Sequence, residues 1–249
     1  MFTVSERSEV RSRLVARAAA DPHIAGAALV GSAACGTEDR WSDIDLMLQL
    51  HPEAEEPAVV ADWSRSVADM FGVGDVHDVL AGAVRYRVFF MRSSLQIDIS
   101  FWTHDEFRAS DTGFQLLFGT AGHPTTRQPP DAGHAIGVGW LYAIHARSAV
   151  ARGKLWQATM MLDELRNSLV TLQCIREGLE PWDGREVDRL PVEDRRALEE
   201  SRATRVTAES LDRSRILLNQ LFLTEVAHHD PDRFARLREP IGRLSEHAW

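Results

Sequence analysis

The hydrophobic period of this 249-residue chain changes near residue 119. Upstream, short apolar runs alternate with polar residues or stand between turn signals. Downstream, leucines recur every three or four residues. A period of two suits strands and a period near 3.6 suits helices. The chain is therefore expected to build a sheet domain first and a helical bundle second, an α+β architecture followed by an all-α one. Residues 119–133, rich in proline and glycine, read as the linker, which gives domains at 1–118 and 134–249.

In the first domain the pattern predicts a helix over 4–20, opened by Ser5 and ended by Asp21-Pro22, with Val10, Leu14 and Val15 at helical spacing. Strands are expected over 24–30 and 43–50. A helix over 57–71 starts with proline in its first turn and closes on Gly72. A short strand over 76–80 follows, then a hairpin of 85–91 and 95–102 around Arg92-Ser93-Ser94. Thr103 and Glu106 have the spacing of a capping box and predict a short helix. In the second domain helices are expected over 134–152, 155–178, 192–203, 207–228 and 231–246, with Trp140 and Trp156 in the core.

Composition removes several classes of function. No run approaches the roughly 20 apolar residues that span a bilayer, and MFTVSERSEVRSRL lacks the apolar core of a secretory signal. Cys35 and Cys174 form no metal-type spacing, so reduced thiols and a cytoplasmic setting are expected. The net charge is −9, and the acidic excess falls almost wholly before residue 124. No clustered Lys and Arg are available to track a phosphate backbone, so no nucleic-acid partner is expected. There is no H-E-x-x-H and no G-x-x-x-x-G-K-[ST]. His228-His229-Asp230 reads as a polar helix end, since adjacent helical residues point apart. Cys35 reads as a small loop residue.

What stands out is LVGSAACGTEDRWSDIDLMLQL, residues 29–50. Alternation puts Asp43, Asp45, Met47 and Gln49 on one face of a strand and Ile44, Leu46, Leu48 and Leu50 on the other, the core face. Asp98 repeats the arrangement, with Gln96 and Ser100 beside it and Leu95, Ile97, Ile99 and Phe101 opposite. If the two strands are neighbours, three carboxylates converge and call for a hard divalent cation such as Mg²⁺, which shares its shell with substrate phosphates. Gly31-Ser32 ends a buried strand. Glycine admits close backbone approach, and the following N–H groups with the Ser32 hydroxyl suit phosphate oxygens. The chemistry expected of such a set is in-line displacement at phosphorus.

Gly31-Ser32-Ala33-Ala34-Cys35-Gly36 followed by Ser42-Asp43-Ile44-Asp45-Leu46, with a later strand bearing Ile97-Asp98-Ile99, resembles the nucleotidyltransferase superfamily related to DNA polymerase β. The resemblance covers residues 24–102. It implies Asp43 and Asp45 as Mg²⁺ ligands and Gly31 and Ser32 as the turn that holds the triphosphate of ATP or another NTP. Asp98 is implied as third metal ligand or as the base that takes the hydroxyl proton. Many small members carry arginine where this chain has Ala33 or Cys35. Phosphate contacts then fall to Arg40, with Ser42 beside it, or nucleotide affinity is low; Arg40 also reads as a solvated loop residue.

Residues 139–172 resemble the C-terminal helical domain of antibiotic nucleotidyltransferases, which adenylylate aminoglycosides or lincosamides. That resemblance implies an acceptor site with Asp163, Glu164 and Arg166 as polar candidates; the same three residues also read as the polar face opposite a leucine stripe. Tyr86, Arg87 and Trp102 flank the cleft strands. The reading is an Mg²⁺-dependent adenylyltransferase acting on a small-molecule hydroxyl, with an antibiotic-resistance role among its implications. The alternatives are a protein AMP-transferase of antitoxin type and a nucleotide-binding protein without chemistry.

Overall fold

The computed structural model of the chain describes residues 1–109, 113–125 and 128–246. Residues 126 and 127 of the expected linker and 247–249 of the expected helical domain lie outside the described residues. The chain divides into two compact units, Met1–Gln128 and Pro129–Trp249. No helix among the described residues is long and apolar enough to cross a membrane.

The first unit runs α1 (Val4–Ala20), β1 (Ile24–Val30), a helical turn α2 (Gly31–Cys35), β2 (Ile44–Leu50), α3 (Glu56–Phe71), β3 (Val73–Ala81), β4 (Val84–Met91), β5 (Gln96–Trp102) and β6 (Phe114–Phe118). Thr3, not Ser5, caps α1. Its hydroxyl accepts from Glu6 N–H at 3.1 Å, while the Glu6 carboxylate accepts from Thr3 N–H at 2.6 Å. The described strands form one sheet in the order β3-β4-β5-β2-β1-β6. Every pairing is antiparallel except β2 with β5, which run parallel with Ile44 opposite Ile97 and Asp45 opposite Asp98. A parallel pair needs a long crossover, which α3, β3 and β4 provide.

Period-2 patterning packs one face of this sheet. Leu46, Leu48, Ile97, Ile99 and Phe101 meet Leu14 and Ala18 of α1 and Val59, Val60, Trp63 and Val67 of α3. Asp78 accepts from both Arg85 and Arg87, whose side chains also reach α3. Arg87 Nε donates to Asp78 at 2.6 Å and its Nη1 to Ser64 Oγ at 2.7 Å, while Arg85 pairs with Glu56 at 2.5 Å. Arg87 is opposite Ile99 in the register. It therefore belongs to the helix-covered face, and its expected place beside the cleft is corrected.

One further expectation changes, and two features go unannounced in the sequence. The segment after Thr103 is a turn, with Glu106 N–H on the Thr103 carbonyl at 3.2 Å, and Phe107 packs onto the outer face of the sheet instead of continuing a helix. Phe107 packs with Ala28 and Met47 over the outer sheet face, and Gln49 Nε2 donates to the His104 carbonyl at 2.9 Å. Met47 and Gln49 are thereby buried. The face that carries Asp43 to Gln49 is open only at its carboxylate end. Finally, β6 adds an edge strand beside β1 that the uniform run FQLLF, without alternation, does not announce.

The second unit contains α4 (Ala132–Ala151), α5 (Leu155–Glu177), α6 (Val192–Glu200), α7 (Ala208–His229) and α8 (Pro231–Leu244). Its core joins Leu162, Leu165, Leu169 and Leu172 of α5 to Leu211, Leu218, Phe222 and Val226 of α7. Small residues of α4 let the helices approach: a Cβ on Gly139 would lie 2.4 Å from the Phe222 ring. Gly178 at φ 66° closes α5, as its sequence position predicts. Trp140 packs against this core, but Trp156 is 73% exposed, near the start of α5 where the helix carries its outer face.

Candidate active site

The site begins where β1 stops. Gly31 has φ +65°, a conformation side chains disfavour, and a Cβ there would fall 2.4 Å from Asp45 Oδ2. Glycine is thus required twice, for the turn and for the carboxylate that leans over it. The backbone then winds through α2 and leaves it at Gly36, also left-handed, with Thr37 N–H on the Ser32 carbonyl at 3.0 Å.

The parallel register places Asp45 beside Asp98, and Asp43 lies two residues upstream, at the entry to β2 rather than within it. Oxygen atoms of Asp43, Asp45 and Asp98 all lie within 4.8 Å of one another, and all three residues are half-buried. Two ionised carboxylates at such a distance repel by about 3 kcal/mol at an effective dielectric constant of about 20. The cluster therefore favours either a cation or a proton. Burial pushes the Asp98 carboxyl above its ordinary range. The amide of Gln96, donating at 3.0 and 3.2 Å, opposes this, and the charge of Asp43 adds to it. An all-oxygen set of three carboxylates suits a hard divalent ion such as Mg²⁺ and offers nothing to a soft one.

The loop leading to Asp43 is closed on itself. Ser42 Oγ accepts from Asp39 N–H at 2.9 Å and donates to Asp39 Oδ1 at 3.2 Å; the same carboxylate oxygen accepts from Trp41 N–H at 2.7 Å. The Ser42 hydroxyl, expected to serve a cofactor, is engaged within this loop. Arg40 lays its guanidinium 4.2 Å over the Trp41 ring, and both are exposed. Asp43, Asp45 and Asp98 are brought together with Gly31 against Asp45, and Ser32 follows Gly31 in the turn, whereas the observed partner of Arg40 is a neighbouring loop side chain.

No protein-family model matches the chain, and no curated protein matches it. Among solved structures, an aminoglycoside 6-adenyltransferase from Bacillus subtilis is similar over 98% of this chain and 99% of its own, with 11% identity and a TM-score of 0.41.

On the same sheet face as Asp98 lie Val88, directly opposite it, and Tyr86, opposite Ser100. The Tyr86 ring meets Trp102 edge to face at 6.3 Å, and Trp102 Nε1 donates to Ser100 Oγ at 2.8 Å. Burial raises the Tyr86 phenol. Tyr86 and Trp102, both predicted to flank the cleft, therefore share the carboxylates' face. In the second unit Asp163 pairs with Arg166 at 2.6 Å, and Arg166 Nη2 donates to the Ser201 carbonyl at 3.3 Å. Those two residues are tied into the bundle. His229 Nε2 meets the Leu172 carbonyl at 2.9 Å, and Asp230 caps α8, so the His-His-Asp run is a helix junction. Cys35 is exposed and Cys174 buried, both free thiols.

Sequence reasoning misses Arg7. By residue type it belongs with the charged residues between the apolar positions of α1, yet it is 2% exposed. Its signal is its spacing from Leu14 and Ala18, which places it, with Arg11 one turn along, on the inner stripe of α1.

Proposed function

We propose that this chain is a Mg²⁺-dependent nucleotidyltransferase that moves a nucleoside monophosphate, AMP from ATP, to a hydroxyl of a small molecule and releases pyrophosphate. One observation carries this reading: two carboxylates on parallel strands and a third at the entry to one of them converge within 4.8 Å beside a glycine turn whose missing side chain is filled by Asp45. That donor set fits Mg²⁺. Asp43 and Asp45 would hold it, with Asp98 completing the set or serving as base. Bound Mg²⁺ would neutralise phosphate charge and make the incoming hydroxyl more acidic.

The chain's own residues supply the rest. The turn at Gly31 holds the triphosphate, with the Ser32 hydroxyl and adjoining N–H groups binding its oxygens. Asp98, oriented by Gln96, either completes the metal site or takes the acceptor's proton as the hydroxyl oxygen bonds to the α-phosphorus. The bond to the β-phosphate breaks and pyrophosphate leaves. The acidic excess of the first half of the chain favours a cationic acceptor, so an aminoglycoside is the first choice and a lincosamide the second. A cytoplasmic setting would supply the nucleotide.

The test is pyrophosphate release from each of four NTPs with Mg²⁺ against aminoglycosides and lincosamides, with Asp43→Ala/Asp45→Ala as control. Release with one acceptor class, abolished in the double variant, is expected. A folded chain that binds none of the four nucleotides, with or without Mg²⁺, would overturn the proposal.

A further inference from the structure

Asp43 stands one residue before the ladder of β2 begins, so the sheet alone does not set its backbone. The loop that delivers it does, and that loop is gripped from behind by α1. Arg7 Nη1 donates to the carbonyl oxygen of Asp39 and, at 3.0 Å, to that of Ser42. Its Nε faces Glu38 Oε1 at 3.3 Å, and Arg11, one turn along, donates to the same oxygen at 2.5 Å. The Ser42 carbonyl belongs to the peptide group that joins Ser42 to Asp43. Fixing its direction fixes the plane from which the Asp43 carboxylate hangs.

The energetics of this arrangement point to a purpose. Burying a guanidinium is unfavourable unless it is hydrogen-bonded and paired, and here it serves a segment with almost no core. Gly36, Thr37, Asp39, Arg40 and Trp41 are all exposed. The end of that segment that bears on the site is Asp43. One guanidinium nitrogen bridges two carbonyls while its Nε lies within ion-pair range of a carboxylate, a reach that the compact ammonium of a lysine matches less well.

We propose that Arg7 is a positioning residue for the carboxylate centre: it holds the Asp39 and Ser42 carbonyls so that Asp43 stays convergent with Asp45 and Asp98. Arg7 touches neither metal nor substrate and acts through the loop. This rests on the reading of the three carboxylates as a divalent-cation site. Partners that orient a metal ligand are worth about 10–100-fold in metal affinity, so a loss of at least about tenfold is expected when the grip is removed.

The experiment measures Mn²⁺ binding to the full chain by electron paramagnetic resonance, in wild type, Arg7→Met, Arg7→Lys and Asp43→Asn, with folding checked by circular dichroism. Wild type binds, Asp43→Asn loses binding, and folded Arg7→Met binds at least about tenfold more weakly, with Arg7→Lys between. In pyrophosphate release the half-saturating Mg²⁺ concentration of Arg7→Met rises by a similar factor, and the rate at saturating Mg²⁺ recovers. A purely structural arginine would lower the melting temperature and leave metal affinity alone. A folded Arg7→Met with affinity within about twofold of wild type overturns the role of Arg7 and spares the metal site. Absence of Mn²⁺ binding in folded wild type overturns both. Should Arg7→Met not fold, Arg7→Lys and Glu38→Gln are judged by the same criterion.

Discussion

Gly31→Ala separates backbone strain from loss of the site. The left-handed backbone at φ +65° costs an alanine about 1–2 kcal/mol. The new Cβ would also sit 2.4 Å from Asp45 Oδ2, so the carboxylate must retreat by about 0.6 Å to reach even the 3.0 Å that real Cβ atoms respect. Displacements near 1 Å at a reacting centre cost about 10²-fold in rate. Gly36→Ala supplies the control, because Gly36 has nearly the same φ, +67°, and nothing lies within 4 Å of where its Cβ would stand. Both variants should lose about 1–2 kcal/mol of stability, a fall in melting temperature of about 3–8 °C. Only Gly31→Ala should lose most of its Mg²⁺-dependent pyrophosphate release and its Mn²⁺ affinity. If the two variants are equally active and bind Mn²⁺ equally, the close approach of Asp45 to Gly31 does not matter to the site, and the reasoning fails.

Other perturbations test the two units separately. Asp78 is held down to about 2 by its hydrogen bonds to Arg87 and then Arg85. Its contribution, about 2 kcal/mol, is fully present above the ordinary carboxylate value near 4 and is lost as the pH falls through about 2. Asp78→Asn should therefore be less stable than wild type in urea at pH 7, and the two should converge in acid; a gap that persists at pH 2 would contradict this. Gly139→Ala forces a methyl to within 2.4 Å of the Phe222 ring inside the second unit. Overpacking of this kind costs about 1–3 kcal/mol, so a thermal melt should show a lowered midpoint, and an unchanged one would mean that α4 and α7 can separate freely.

Local periodicity determined much of this protein. The extent of α1, the Gly178 stop, the core faces of β2 and β5 and the shared direction of Asp45 and Asp98 with their outer-face neighbours all follow from neighbours within a few residues. Such features depend on the alternation of a strand or the pitch of a helix, and both are written along the chain. Three carboxylates on outer faces were legible for that reason. That they meet follows from the superfamily resemblance alone, not from the local pattern. Asp45 and Asp98 are brought together by the parallel pairing of β2 with β5 across an intervening helix and hairpin, and no local pattern encodes which distant strand will be a neighbour. The burial of Arg7, the covering of Met47 and Gln49 by Phe107 and the turn at Thr103 were decided the same way. Trp156, apolar and yet exposed, shows the converse. Residue type sets a preference for burial, but only the packing of one element against another determines which surfaces are covered.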